Sequence, residues 1–87
     1  MSIKKDDYLM TDGFGRDLLF RIVSIWKVAP GIMACEVIRV KPSKDIHGHW
    51  EVVSFGRTKN LPMKEHETFA PAGYTRITEK EILNRGY

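Results

Sequence analysis

The chain of 87 residues carries 14 Lys and Arg against 11 Asp and Glu, a net charge of +3, and is 43% hydrophobic. That length allows one small domain over 1–87 with a core one layer deep, and no apolar stretch approaches the ~20 residues of a membrane-spanning helix. The charged start, 1–7, reads as flexible and lacks the apolar run of a signal peptide, and a single cysteine, Cys35, excludes an internal disulfide framework. Expectation is therefore a cytoplasmic protein with no membrane association.

In chain order, Tyr8-Leu9-Met10-Thr11 reads as a short first strand. Asp12-Gly13-Phe14-Gly15 has turn chemistry, because Asp-Gly tolerates the backbone angles of tight turns. Leu18 to Val28 and Ile32 to Val40 are two runs rich in β-branched and aromatic residues, which suit a pleated, half-buried surface. Between them stands Ala29-Pro30-Gly31. Pro presets φ at the second position of a turn and Gly tolerates positive φ at the third, so the two runs predict a long β-hairpin. Pro42 to Gly48 reads as a polar loop, and Trp50 to Phe55 as a strand that Gly56 ends. Leu61-Pro62-Met63 is expected extended, since Pro disfavours helix in the residue before it. Glu65 to Gly73 reads as a loop, and Tyr74 to Ile77 as a last short strand.

The strongest local signal closes the chain. Thr78-Glu79-Lys80-Glu81 is a capping box, in which the Thr78 hydroxyl accepts from the Glu81 amide and the Glu81 carboxylate reaches back to the Thr78 amide. Ile77 and Ile82 have the spacing of a hydrophobic staple. A helix over Glu79–Asn84 follows, with Gly86 suited to its C-terminal side and with Ile82 and Leu83 holding it to the strands.

Four to five short antiparallel strands with tight turns and a short C-terminal helix resemble, from Tyr8 to Leu83, the pattern of small SH3-like or Tudor-like β-barrels. The acidic and aromatic signature of peptide-binding SH3 domains is missing, so the resemblance implies a mainly β fold and no particular ligand.

No residue pattern names a reaction, and the expectation is a non-enzymatic protein without a cofactor. His47, His49 and His66 offer three imidazoles. A His-x-His pair on a strand would share a face, but Gly48 places this pair in a loop, and no cysteine pair accompanies it; a solvated hairpin tip is the reading taken, and no metal site is assigned. Cys35 lies mid-strand between Ala34 and Glu36, where a buried, inert thiol is the usual outcome. Gly13-Phe14-Gly15 lacks the lysine and the following helix of a phosphate-binding loop. Asp6-Asp7 lies in the terminus expected to move.

The charge is unevenly placed. Lys/Arg and Asp/Glu balance over 1–36, whereas 37–64 holds Arg39, Lys41, Lys44, Arg57, Lys59 and Lys64 against Asp45 and Glu51 alone. Clustered cations contact phosphates, and aromatic neighbours such as Trp50 and Phe55 stack on bases. On this count Arg39, Lys41, Lys44, Trp50, Arg57, Lys59 and Lys64 form the candidate nucleic-acid surface, for DNA or RNA. The six basic residues begin near opposite ends of one ladder and meet only if the sheet curls. A second reading comes from the first long run, where Phe20, Ile22, Trp26 and Val28 alternate with Arg21, Val23, Ile25 and Lys27. Both faces are partly apolar. Either the strand bends and switches sides, or a second face is buried by a protein partner or a homodimer. In the latter case the chain is an adaptor or small inhibitor acting by binding.

Overall fold

A computed structural model describes residues 3–13, 16–64, 71 and 73–84. It contains β1 (Tyr8–Gly13), β2 (Arg16–Ala29), β3 (Ile32–Lys44), β4 (Trp50–Lys64), β5 (Thr75–Ile77) and α1 (Glu79–Asn84). All five strands form one antiparallel sheet in the order β4-β3-β2-β1-β5. The order follows from short connections, which make sequential strands neighbours; only β5 breaks sequence, returning to pair with β1 through Tyr8↔Ile77. No ladder joins β4 to β5 among the described residues, so the sheet is open and a closed barrel is not seen.

The predicted hairpin is present: Pro30-Gly31 turns the chain between Ala29 and Ile32, with Gly31 at φ +79°. Two strands run further than their composition suggested. β3 continues through Pro42, Ser43 and Lys44, so the loop is 45–49 rather than 42–48. Pro42 is tolerated because the β2–β3 ladder ends at Phe20↔Arg39, and beyond it β3 pairs with β4 alone. β4 does not end at Gly56. That residue sits at φ +76° where the pairing jumps from Arg39↔Phe55 to Ile38↔Thr58, leaving Gly56 and Arg57 as a two-residue bulge. The strand then runs on to Lys64 and includes the extended Leu61-Pro62-Met63; Pro62 fits because β4 is an edge. Asp12 and Gly13 belong to β1 rather than to a turn. Phe14, Gly15, Gly86 and most of the loop expected over 65–73 lie outside the described residues.

Each face of the sheet carries a cluster. One gathers Ile3, Leu9, Phe20, Ile22, Cys35, Val37 and Met63, with Leu18, Ile25, Met33, Leu61 and Tyr74 packed against it. The other gathers Leu19, Val40, Ile77 and Ile82, and α1 lies over β3 and β4 on that side. This accounts for the two apolar faces of β2. A one-residue bulge at Val23 resets the alternation, so Ile25 joins Phe20 and Ile22, while Trp26 turns to the opposite face and stands 38% exposed.

Near the start of the chain, described from Ile3 onward, the backbone bonds to β2. Ile3 is buried, the Asp6 amide donates to the Ile22 carbonyl at 2.8 Å, and the Ile22 amide donates to the Asp7 carbonyl at 2.8 Å. At the other end the capping box forms. The Glu81 amide donates to Thr78 Oγ1 at 3.1 Å and the Thr78 amide to Glu81 Oε1 at 3.4 Å, with Ile77 and Ile82 buried together as the staple.

Candidate nucleic-acid interface

The β3–β4 ladder positions the basic residues. Arg39 and Lys41 share a face by alternation, the face that also carries Cys35 and Val37. Phe55 lies opposite Arg39, and Lys59 opposite Val37. From the loop end alone, the pairing Lys44↔Trp50 would continue to set Arg57 opposite Val37. The bulge moves the register by two, an even step that keeps the face and brings Lys59 to that place. The cations thus meet in the middle of the ladder, not from its opposite ends.

Phe20 of β2 completes the group. The Pro30-Gly31 turn by itself would set Phe20 opposite Lys41. Bulges at Val23 and Val28 shift the partner to Arg39. The Arg39 guanidinium carbon lies 5.8 Å from the Phe20 ring centroid and 5.1 Å from that of Phe55. Lys41 Nζ lies 5.3 Å from the Phe55 centroid, and Lys59 Nζ 4.5 Å from Phe20 and 5.9 Å from Tyr74. Phe20 and Tyr74 meet edge to face at 5.8 Å. A cation over a ring face is attracted to its quadrupole, and the long Lys59 stem covers apolar surface while its head stays wet.

None of Arg39, Lys41, Lys44, Arg57 or Lys59 forms an ion pair among the described residues; the ion pairs there are Arg21–Asp6 at 3.6 Å, Arg76–Asp7 at 3.2 Å and His49–Asp45 at 3.7 Å. Arg39 Nε is buried without a hydrogen-bond partner among them. The acidic residues near the start of the chain therefore pair with arginines of β2 and β5 rather than with the cations of β3 and β4.

Not every candidate joins the cluster. Arg57 is exposed on the bulge. Lys44 and Trp50 pair at the loop end on the other face, with Lys44 Nζ 5.5 Å from the indole, and Trp50 is 48% exposed. The backbone of Lys64 pairs with Ile32 at the far end of β4; its side chain lies outside the described residues. Phe20 and Tyr74 were not legible as site residues. Their place beside Lys59 depends on three bulges whose positions no local pattern announces.

Asp45 Oδ1 accepts from the amides of His47 and His49 at 2.8 and 2.9 Å, which knits loop 45–49 around Gly48 at φ +81°. The two imidazoles are 6.4 Å apart, and His66 lies outside the described residues. No group of three metal-capable side chains occurs among the described residues. Cys35 is fully buried, and burial pushes its thiol pKa up, the reverse of what a nucleophile needs. No described helix is long and apolar enough to cross a membrane. No family model, curated protein or solved structure matches this chain.

Proposed function

We propose that the protein is a non-catalytic module that binds nucleic acid through the β3–β4 face, with its sheet arranged in the manner of SH3-like or Tudor-like small barrels. The observation that carries this reading is the convergence of Arg39, Lys41 and Lys59 around Phe20, Phe55 and Tyr74, with no carboxylate in ion-pair range among the described residues. Unpaired cations attract phosphates, and each contact releases a counterion, so affinity falls with salt. Replacing Arg39, Lys41, Arg57 and Lys59 by Gln is expected to abolish binding at low salt without unfolding the protein. Each single change is expected to weaken all sequences about equally and to lower the salt slope by roughly one. A folded quadruple variant that binds as before would sink the reading.

A protein-binding role, including a homodimer, is favoured by a separate observation. Trp26, Val28 and Ile32 stand exposed at the tip of the β2–β3 hairpin, away from Arg39, Lys41 and Lys59. Clustered exposed apolar side chains of this kind mark interfaces.

A further inference from the structure

Next to the cationic face lies a cleft of about 340 Å³, lined by Asp17, Leu18, Arg39, Lys41, Pro42 and Phe55 among others. We propose that this cleft receives one unpaired base of a single-stranded nucleic acid. The inference rests on the nucleic-acid reading above and names the form of the ligand.

The layout is that of a nucleotide. Leu18 and Pro42 supply apolar wall, Phe55 is 37% exposed, and the cations stand around it. A base enters the apolar part while its phosphates remain with Arg39 and Lys41. Arg39 is held between Phe20 and Phe55 and stays in place. Lys41 is exposed and rests over the Phe55 ring through a flexible stem. It can swing to a phosphate at little cost and leave the ring face to the base. The volume is at the small end for ligand sites, which suits one nucleotide. A duplex keeps its base faces stacked inside and has nothing to insert. The cations are also few for tight duplex binding by phosphate contacts alone. Stacking supplies the rest, and stacking requires an unpaired base.

Asp17 adds a preference. Its carboxylate only accepts, and its two oxygens offer about four lone-pair sites. Cytosine presents an amine at the edge where thymine and uracil present a carbonyl. The cleft is therefore expected to favour cytosine over thymine.

The test is fluorescence anisotropy at low salt with labelled oligo-dC, oligo-dT and a duplex, each about ten nucleotides long. Oligo-dC is expected to bind roughly tenfold tighter than the duplex. Phe55→Ala should weaken oligo-dC binding roughly tenfold, the loss of one stacked base, and duplex binding by much less. Phe55→Leu, which keeps apolar bulk without a ring, should act alike, and thermal melting identifies a variant that has lost its fold. Asp17→Asn should narrow the difference between oligo-dC and oligo-dT. Equal binding of duplex and single strand, or oligo-dC affinity indifferent to Phe55→Leu, overturns the cleft and leaves the general reading standing. Absence of binding to every probe overturns both.

Discussion

Three side chains show how local chemistry becomes stability. Thr78 caps α1 through the bond from the Glu81 amide at 3.1 Å, and α1 carries the fully buried Ile82. Thr78→Ala is expected to cost ~1 kcal/mol in urea unfolding, the usual value of an N-cap, and a loss within error would show that packing of Ile82 alone holds the helix. Tyr8 and Cys35 bear on stability at alkaline pH. Burial is the first cause that raises the Tyr8 phenol, followed by the nearby Glu79 carboxylate, with Arg21 opposing and Asp6 adding; burial alone raises Cys35. Both groups hold their protons more tightly when folded. Their contribution is thus fully present below the ordinary thiol and phenol values, about 8.5 and about 10, and is lost as pH rises through the higher folded values. Unfolding free energy should fall with pH above about 9, and Cys35→Ala with Tyr8→Phe should flatten that fall. A wild-type curve already flat there would contradict the assignment.

At the scale of elements, the bulges do the positioning. Without the pair Gly56-Arg57, Lys59 would lie two residues further along and away from Arg39. Gly56 is at φ +76° with nothing within 4 Å of a Cβ built on it, so space is no obstacle and backbone strain is. Gly56→Val is expected to destabilise by about 1–3 kcal/mol. It should also weaken nucleic-acid binding more than Arg57→Gln does, because it disturbs a register rather than one exposed charge. Urea melts beside anisotropy titrations separate the two effects, and unaltered binding by a destabilised Gly56→Val would show that the cation cluster does not depend on the bulge.

Across the whole molecule, the extents of 47 × 24 × 24 Å reflect three long strands, β2 to β4, running beyond the short β1 and β5. The central part of that length is covered on both faces, by Ile3 and Tyr74 on one side and α1 on the other. The hairpin tip with Trp26, Val28 and Ile32 remains exposed. If two copies join there, sedimentation should show a concentration-dependent dimer that Trp26→Ser with Ile32→Ser returns to monomer while oligonucleotide affinity stays unchanged. A monomer at all concentrations would leave that tip to another protein partner or to solvent. Charge is segregated along the same body: Asp6 and Asp7 pair with Arg21 and Arg76, while Arg39, Lys41 and Lys59 of β3 and β4 form no ion pair among the described residues.

The amino-acid order by itself determined the elements that rest on neighbours in sequence. Pro30-Gly31 made the hairpin, since a two-residue turn requires only local angles, and Thr78 with Glu81 made the helix, since a cap spans three positions. The concentration of Lys and Arg over 37–64 was likewise plain. Only the tertiary structure decided which of those cations meet. A bulge of one residue reverses alternation and a bulge of two preserves it, and both depend on how a strand fits its partner. That fit carried β4 past Gly56, turned Trp26 away from Phe20 and Ile22, and set Lys59 over Phe20. Pairing between distant segments has no local signature, because its energy comes from surfaces that exist only once the sheet has formed.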